Sequence, residues 1–270
     1  MPELPEVETT RRGIEPYLKN RRITAIEVRE PRLRWPVPEA VQQACGQKVK
    51  SVERRAKYLL IRLRSGSLML HLGMSGSLRV VPSGLEPGLH DHIDLGIDNG
   101  KSIRFNDPRR FGSFLWVEGG GENHPLLKNL GPEPLSGEFT GDYLWLCSRR
   151  RKLAVKSFIM NGHVVVGVGN IYASEALFRA GIHPLRAAGR ISKHRYDWLA
   201  SSICDVLEEA IRQGGTTLKD FSSSDGQPGY FGQQLAVYGR EGLSCIQCDS
   251  PIRQKRIGQR ASYYCVTCQH

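Results

Sequence analysis

The chain has 270 residues, with 38 Lys and Arg against 27 Asp and Glu, for a formal net charge of +11. That length can bury a substantial core in one or two domains, and the charge points to a polyanionic partner and away from a basic one. No apolar run approaches the roughly 18 residues of a membrane span, and the polar, acidic start lacks the apolar core of a signal peptide, so a soluble cytoplasmic protein with no membrane contact is expected.

The first residues are Met1-Pro2-Glu3-Leu4-Pro5-Glu6-Val7-Glu8. With Met1 removed, Pro2 carries a free secondary amine. An α-amino group titrates at about 7.7–8.0, so part of it is neutral at physiological pH. Such an amine can attack an aldehyde-level carbon to give an iminium ion, with Glu3 beside it as a proton donor. The same residues also read as an ordinary helix start, with Pro5 in the first turn and carboxylates favouring the N-terminal dipole. Val7, Arg11, Ile14 and Leu18 recur at helical spacing. They predict a helix over Pro5–Leu18, with the Arg11 stem lying on the apolar stripe.

Short runs of strand character follow, at Ile23–Val28, Val49–Glu53, Tyr58–Arg64, Ser67–Leu72, Ser77–Val81, Ile93–Ile97, Ser102–Phe105 and Gly112–Val117. Turn residues separate them, and Asn99-Gly100 predicts a hairpin. This pattern suggests an antiparallel sandwich or barrel with the first helix packed on it. Seven basic residues and one acid, Glu53, lie between Lys48 and Arg64. The passage from Gly119 to Gly141 is rich in Gly and Pro and reads as a linker.

Beyond it the texture is helical. Asp142 is a candidate cap for a helix to Arg151, a second segment covers Leu153–Met160, and Asn170 is a candidate cap for Ile171–Ala180. Ser192 opens a long helix that Gly214-Gly215 ends. Phe221–Tyr230 reads as a mobile loop, and Gln233–His270 as short strands around cysteines. The domains expected are 1–118, a hinge at 119–141, a helical domain at 142–232 and a finger at 233–270.

Three motifs carry chemistry. Cys245-x2-Cys248-x16-Cys265-x2-Cys268 has the spacing of a four-cysteine zinc site, closed and structural, unless the thiols are simply unligated. Arg253, Lys255, Arg256 and Arg260 lie between its pairs, placed to touch phosphates. Gly167-Val168-Gly169-Asn170-Ile171-Tyr172-Ala173 is either a plain helix cap or, with the basic run Arg149–Lys156, a phosphate clamp. Asn106-Asp107-Pro108-Arg109-Arg110-Phe111-Gly112 presents an aromatic beside arginines, suited to entering a base stack. Its alternative is a core Phe111 with Asp107 paired to an arginine. Cys45, Cys147 and Cys204 read as small buried hydrophobes.

Together these motifs, in this order from Pro2 to Cys268, resemble the formamidopyrimidine-DNA glycosylase family, bacterial enzymes that remove oxidised purines. The resemblance implies an α+β fold: an N-terminal β-sandwich with a packed N-terminal helix, then a C-terminal helical domain with a helix-two-turn-helix and a zinc finger. It implies a monomer acting on double-stranded DNA that contains an oxidised purine, with one structural Zn2+. By that resemblance Pro2 is the nucleophile, Glu3 the proton shuttle, and Glu6 a support for the N-terminus. Lys57 contacts phosphate and serves β-elimination, and Arg260 grips a phosphate and assists δ-elimination. Met74, Arg109 and Phe111 fill the gap left by a flipped base, while His90, Arg151, Lys156 and Asn170 clamp phosphates. The Lys219–Tyr238 region caps the extruded base. Two positions depart from the family pattern: Asn161 stands where an acid is expected, and Leu89 where a basic residue is. An endonuclease VIII-like enzyme for oxidised pyrimidines and a non-catalytic zinc-ribbon binder are the competing readings.

Overall fold

The computed structural model describes residues 2–121, 123–216 and 234–270. These form two compact units. The first contains the described residues up to Lys128 together with 213–216; the second contains Asn129–Arg212 and 234–270.

The first unit opens with helix α1 (Leu4–Leu18), followed by strands β1 (Ile23–Val28), β2 (Ser51–Arg55), β3 (Tyr58–Arg62), β4 (Gly66–His71), β5 (Ser77–Pro82), β6 (Asp91–Ile97), β7 (Lys101–Asn106) and β8 (Ser113–Glu118). Each expected strand is present. They form two antiparallel four-stranded sheets, ordered β1-β6-β7-β5 and β2-β3-β4-β8. Inward side chains of both sheets, including Leu59, Ile61, Leu68, Ile93 and Phe105, join α1 residues Val7, Ile14 and Leu18 in one buried cluster. This is a β-sandwich with a helix closing one side. A 3₁₀ turn at Glu39–Ala44, with no sequence signature of its own, buries Val41 and Ala44 in the same core.

The second unit contains helices α2 (Gly141–Ser148), α3 (Val155–Ile159), α4 (Asn170–Arg179) and α5 (Lys193–Arg212), and the ribbon β9 (Arg253–Ile257) and β10 (Arg260–Tyr264). Two expected caps are displaced. Thr140, not Asp142, caps α2, its hydroxyl accepting the Tyr143 N–H at 3.1 Å. Gly169 is the residue before α4, so Asn170 is the first helical residue, and its side chain is used elsewhere. Tyr196, Leu199, Ile203, Val206 and Leu207 make the buried stripe of α5. Among the described residues no helix is long and apolar enough to cross a membrane.

Candidate active site and nucleic-acid interface

Helix α1 starts with a reciprocal cap. The Glu3 N–H donates to Glu6 Oε2 at 2.8 Å, and the Glu3 side chain accepts the backbone N–H of Glu6. Pro2 is buried, and Glu3 and Glu6 are 3% and 2% exposed. The other Glu6 oxygen accepts from the Thr216 N–H at 2.9 Å and from its hydroxyl at 3.0 Å. Gly215, at φ +83°, makes this approach possible: a Cβ there would lie 3.0 Å from Glu6 Oε1. Glu6 therefore ties the first residues of the chain to residue 216. The sequence marked Gly215 only as a helix stop and gave no sign of Thr216.

Lys57 occupies the β2–β3 turn after Ala56, whose φ is +55°. On the neighbouring strand His71 is opposite Tyr58, their rings 4.9 Å apart. His71 Nδ1 accepts the Gly73 N–H at 2.9 Å, so the imidazole is neutral in this arrangement. Burial, with the charges of Lys57 and Arg34 adding to it, pushes the His71 pKa down to about 4.

Gly73, next to Met74, meets the end of the Arg109–Phe111 turn backbone to backbone. A Cβ on Gly73 would meet Phe111 C at 2.4 Å, and one on Gly112 would meet the His71 carbonyl at 2.7 Å. Asp107, fully buried, organises the turn. Its carboxylate accepts from Ser75 Oγ at 2.7 Å and from the Gly112 N–H at 2.7 Å, and its carbonyl lies 2.9 Å from His92 Nε2. Asp107 thus bonds to backbone and hydroxyl groups, and the alternative in which it pairs an arginine is not what the fold adopts. Phe111 is 43% exposed, so it is not a core residue either, and the Arg109 guanidinium sits 4.9 Å from its ring centroid.

His90 precedes Asp91, which fixes the loop. Asp91 accepts from the Gly88 N–H, Asn106 Nδ2 and Arg79 Nη2, each at 2.6–2.8 Å. Buried Arg104 donates to the Leu85 and Glu86 carbonyls at 2.5 and 3.0 Å and pairs with Asp94. Leu89 is 90% exposed on this loop, an apolar residue facing solvent.

In the second unit Lys156 is 1% exposed. Its ammonium donates to Asn170 Oδ1 at 2.6 Å, Ser262 Oγ at 2.7 Å and the Ala261 carbonyl at 3.1 Å. Asn170 Nδ2 donates in turn to the Ala261 carbonyl at 3.0 Å. These bonds join α3, α4 and β10 at one point. Asn161 bends the preceding loop, accepting the His163 N–H at 3.0 Å. Arg151 and Arg260 are exposed. Tyr238 packs edge-on to Tyr263, with centroids 5.0 Å apart, while Lys219 lies outside the described residues. Glu175, buried in α4, accepts the N–H groups of Ala236, Val237 and Tyr238 at 2.8–3.0 Å. Burial raises its pKa, although those three bonds oppose the rise.

The sulfurs of Cys245, Cys248, Cys265 and Cys268 all lie within 4.8 Å of one another, and none forms a disulfide. A tetrahedral zinc with Zn–S of 2.3 Å has S–S edges of about 3.8 Å. The Cys245–Cys268 and Cys248–Cys265 separations of 3.9 and 3.4 Å bracket that edge, so the four residues can hold a metal ion. Two residues with positive φ, Gly258 and Gln259, turn β9 into β10. A Cβ on Gly258 would come within 2.8 Å of Ser157 Oγ, so the ribbon tip sits directly on α3.

A sandwich with its N-terminal residues clamped, and a helical unit joined to a four-thiol ribbon, define the two-part architecture of one class of DNA-repair enzyme. The formamidopyrimidine-DNA glycosylase N-terminal domain model matches residues 1–114, and that family's H2TH domain model matches residues 130–222. Formamidopyrimidine-DNA glycosylases of Alcanivorax borkumensis and Syntrophotalea carbinolica are 61% and 59% identical over the whole of both chains. The MutM (Fpg) structure from Thermus thermophilus covers 99% of this chain and 98% of its own, with 38% identity and a TM-score of 0.90. Lactococcus lactis Fpg in complex with abasic-site DNA gives a TM-score of 0.91 at 29% identity, covering 99% of both chains. The chain belongs to the formamidopyrimidine-DNA glycosylase family.

Proposed function

We propose that this chain excises oxidised purines from duplex DNA and then cleaves the resulting abasic site, using the amine of Pro2 as nucleophile. The observation that carries the reading is the Glu3–Glu6–Thr216 clamp, which holds the first residues in one buried position. A nucleophile must be presented in a fixed geometry, and a chain terminus is ordinarily the least ordered part of a fold. Once Met1 is gone, the Pro2 lone pair attacks C1′ of the damaged nucleotide, the bond to the base breaks and the amine loses its proton; the C1′–O4′ bond then opens, with a proton delivered to O4′, to leave an iminium. Glu3 supplies and later takes up protons at the sugar. The iminium acidifies C2′; loss of a proton there expels the 3′ phosphate, and a second elimination expels the 5′ phosphate. Hydrolysis of the Schiff base returns the amine.

The other residues serve binding. A lesion must leave the stack to be reached, at a cost of a few kcal/mol. Met74, Arg109 and Phe111 fill the space, with the Gly73–Gly112 contact keeping them together. Lys57 contacts a phosphate and helps remove the C2′ proton. His90, Arg151 and Asn170 hold phosphates, Lys156 adds its charge from behind Asn170, and Arg260 grips the phosphate beside the lesion. Tyr238, with Lys219, belongs to the cap over the extruded base. One Zn2+ in the four-thiol site would hold the ribbon in shape; a closed thiolate shell leaves no position for substrate. The protein works as a monomer in the cytoplasm, on the chromosome.

Borohydride reduction decides between this enzyme and a non-catalytic DNA binder. The mature chain should be trapped covalently on a duplex carrying 8-oxoguanine opposite cytosine. Intact binding without trapping would remove the nucleophile from the account. Stronger trapping on oxidised pyrimidines would favour the endonuclease VIII-like alternative.

A further inference from the structure

The basic run from Lys48 to Arg64 is continuous in sequence, yet the fold divides it. Arg54, Arg55 and Lys57 lie at the turn of the β2–β3 hairpin, whereas Lys48, Lys50, Arg62 and Arg64 lie at its open end. Five residue pairs, Ser51–Arg62 to Arg55–Tyr58, separate the two groups. At about 3.3 Å per residue that is roughly 15 Å. Helix α1 runs alongside in the opposite sense to β2. Glu8, near its start, pairs with Arg54 at 3.3 Å, and Asn20, just past its end, donates to the Val49 carbonyl at 3.0 Å. A 15-residue helix is about 22 Å long, so the open end of the hairpin is remote from the Pro2 amine.

At that end Arg22, Lys48, Lys50 and Arg64, all exposed, line a surface basin of about 630 Å³ that contains no carboxylate. Among the described residues Lys48, Lys50 and Arg64 form no ion pair. Glu53 is taken by Arg62 at 2.7 Å, Arg22 gives its guanidinium to the Gly46 carbonyl, and Asp98 accepts the Arg22 backbone N–H at 3.1 Å. The backbone beneath is tied down: the Lys50 N–H donates to the Arg62 carbonyl at 2.8 Å, and Gln47 Oε1 accepts the N–H groups of Arg64 and Ser65 at 3.1 and 3.2 Å. Like charges gathered on fixed loops without counter-charges repel one another, and a polyanion relieves that repulsion. The basin also lacks any aromatic side chain, the usual anchor of a protein interface or a base-stacking site. It offers charge alone, which suits a phosphodiester backbone contacted without reading bases.

We propose that this basin is a second nucleic-acid contact, which holds duplex phosphates at a point separate from the lesion-binding end. It serves non-specific retention on DNA and takes no part in excision. The proposal rests on the reading of Pro2 as the active end of a DNA enzyme. Its test is the triple variant Lys48→Gln, Lys50→Gln, Arg64→Gln, whose sites are exposed and whose melting temperature should match the parent. On an undamaged duplex of about 40 bp, the slope of log affinity against log salt should become shallower by roughly 2–3, at about 0.9 per lost phosphate contact. Affinity at low salt should fall about ten-fold or more. Single-turnover excision from a lesion duplex of about 12 bp at saturating enzyme should be unchanged, because the basin takes no part in the chemistry at the Pro2 end. An unaltered slope on the long duplex overturns the proposal, as does an equal loss on the short one. So does loss of polyglutamate binding with duplex binding intact, which would assign the basin to an acidic protein. Failure of the parent to excise at all is a separate result and counts against the enzyme reading, not the basin.

Discussion

Thr216 and Glu6 are 210 positions apart, and no local pattern connects them. A carboxylate near a helix start reads equally well as a dipole partner, and its second oxygen finds its donor only in the folded chain. Gly215→Ala tests this contact. The added Cβ would meet Glu6 at 3.0 Å in a backbone region that favours glycine. It should cost on the order of 1–3 kcal/mol in urea denaturation, and it should slow borohydride trapping more than it weakens binding to undamaged DNA. Equal losses of trapping and binding would count against the clamp. Glu175 was hidden for a related reason: inside the apolar run of α4 it looks out of place until the three N–H groups it accepts are known.

At the scale of elements the strands were legible because alternation, β-branched residues and Gly turns are local signals, and all eight strands of the sandwich were found. Caps were less legible. Thr140 and Asp142 both suit a helix start, and geometry alone selects between them. The Arg109–Phe111 motif was visible, but what supports the turn was not: Gly73, on a separate loop, packs on the Phe111–Gly112 backbone more closely than any side chain would allow. Gly73→Ala, whose added Cβ would meet Phe111 C at 2.4 Å, should therefore separate Met74 from Phe111. Base opening, followed by a fluorescent analogue beside the lesion, should be impaired at least ten-fold, with undamaged-DNA affinity little changed. Zinc offers a parallel test on the ribbon. The purified protein should contain one zinc ion per chain, and chelation should release it with loss of the ribbon's amide exchange protection. Absence of bound zinc at full exchange protection would contradict a structural metal.

For the whole molecule, two sets of groups shape the response to acid. His71 is held neutral, with its pKa pushed down to about 4, against about 6.5 in an unfolded chain. Between those values the unfolded state binds more protons, so stability falls as pH drops from about 6.5 towards 4. Glu8, Asp91 and Asp94 act lower. Burial raises each, but hydrogen bonds and neighbouring charges outweigh it: Arg11, Arg12 and Arg54 for Glu8; Asn106, Gly88 and Arg79 for Asp91; Arg104 and Arg29 for Asp94. Their pKa values are depressed, so their contribution is present above about pH 4 and is lost as pH falls through the folded values. Urea midpoints measured from pH 7 to 3 should show both limbs. His71→Asn, which keeps an acceptor for the Gly73 N–H, should shrink the first limb, to which partly buried His124 and His183 also contribute, and leave the second. A single limb below pH 4 in the parent would contradict the neutral His71.

The Glu6–Thr216 clamp also has a consequence in time. A ribosome adding about 5–20 residues per second takes roughly 10 to 40 s to travel from residue 6 to residue 216. Throughout that interval the N-terminal residues are without their anchor. The finished structure buries Pro2. On the role proposed for Pro2, removal of Met1 falls within this interval, before the Glu6 anchor forms.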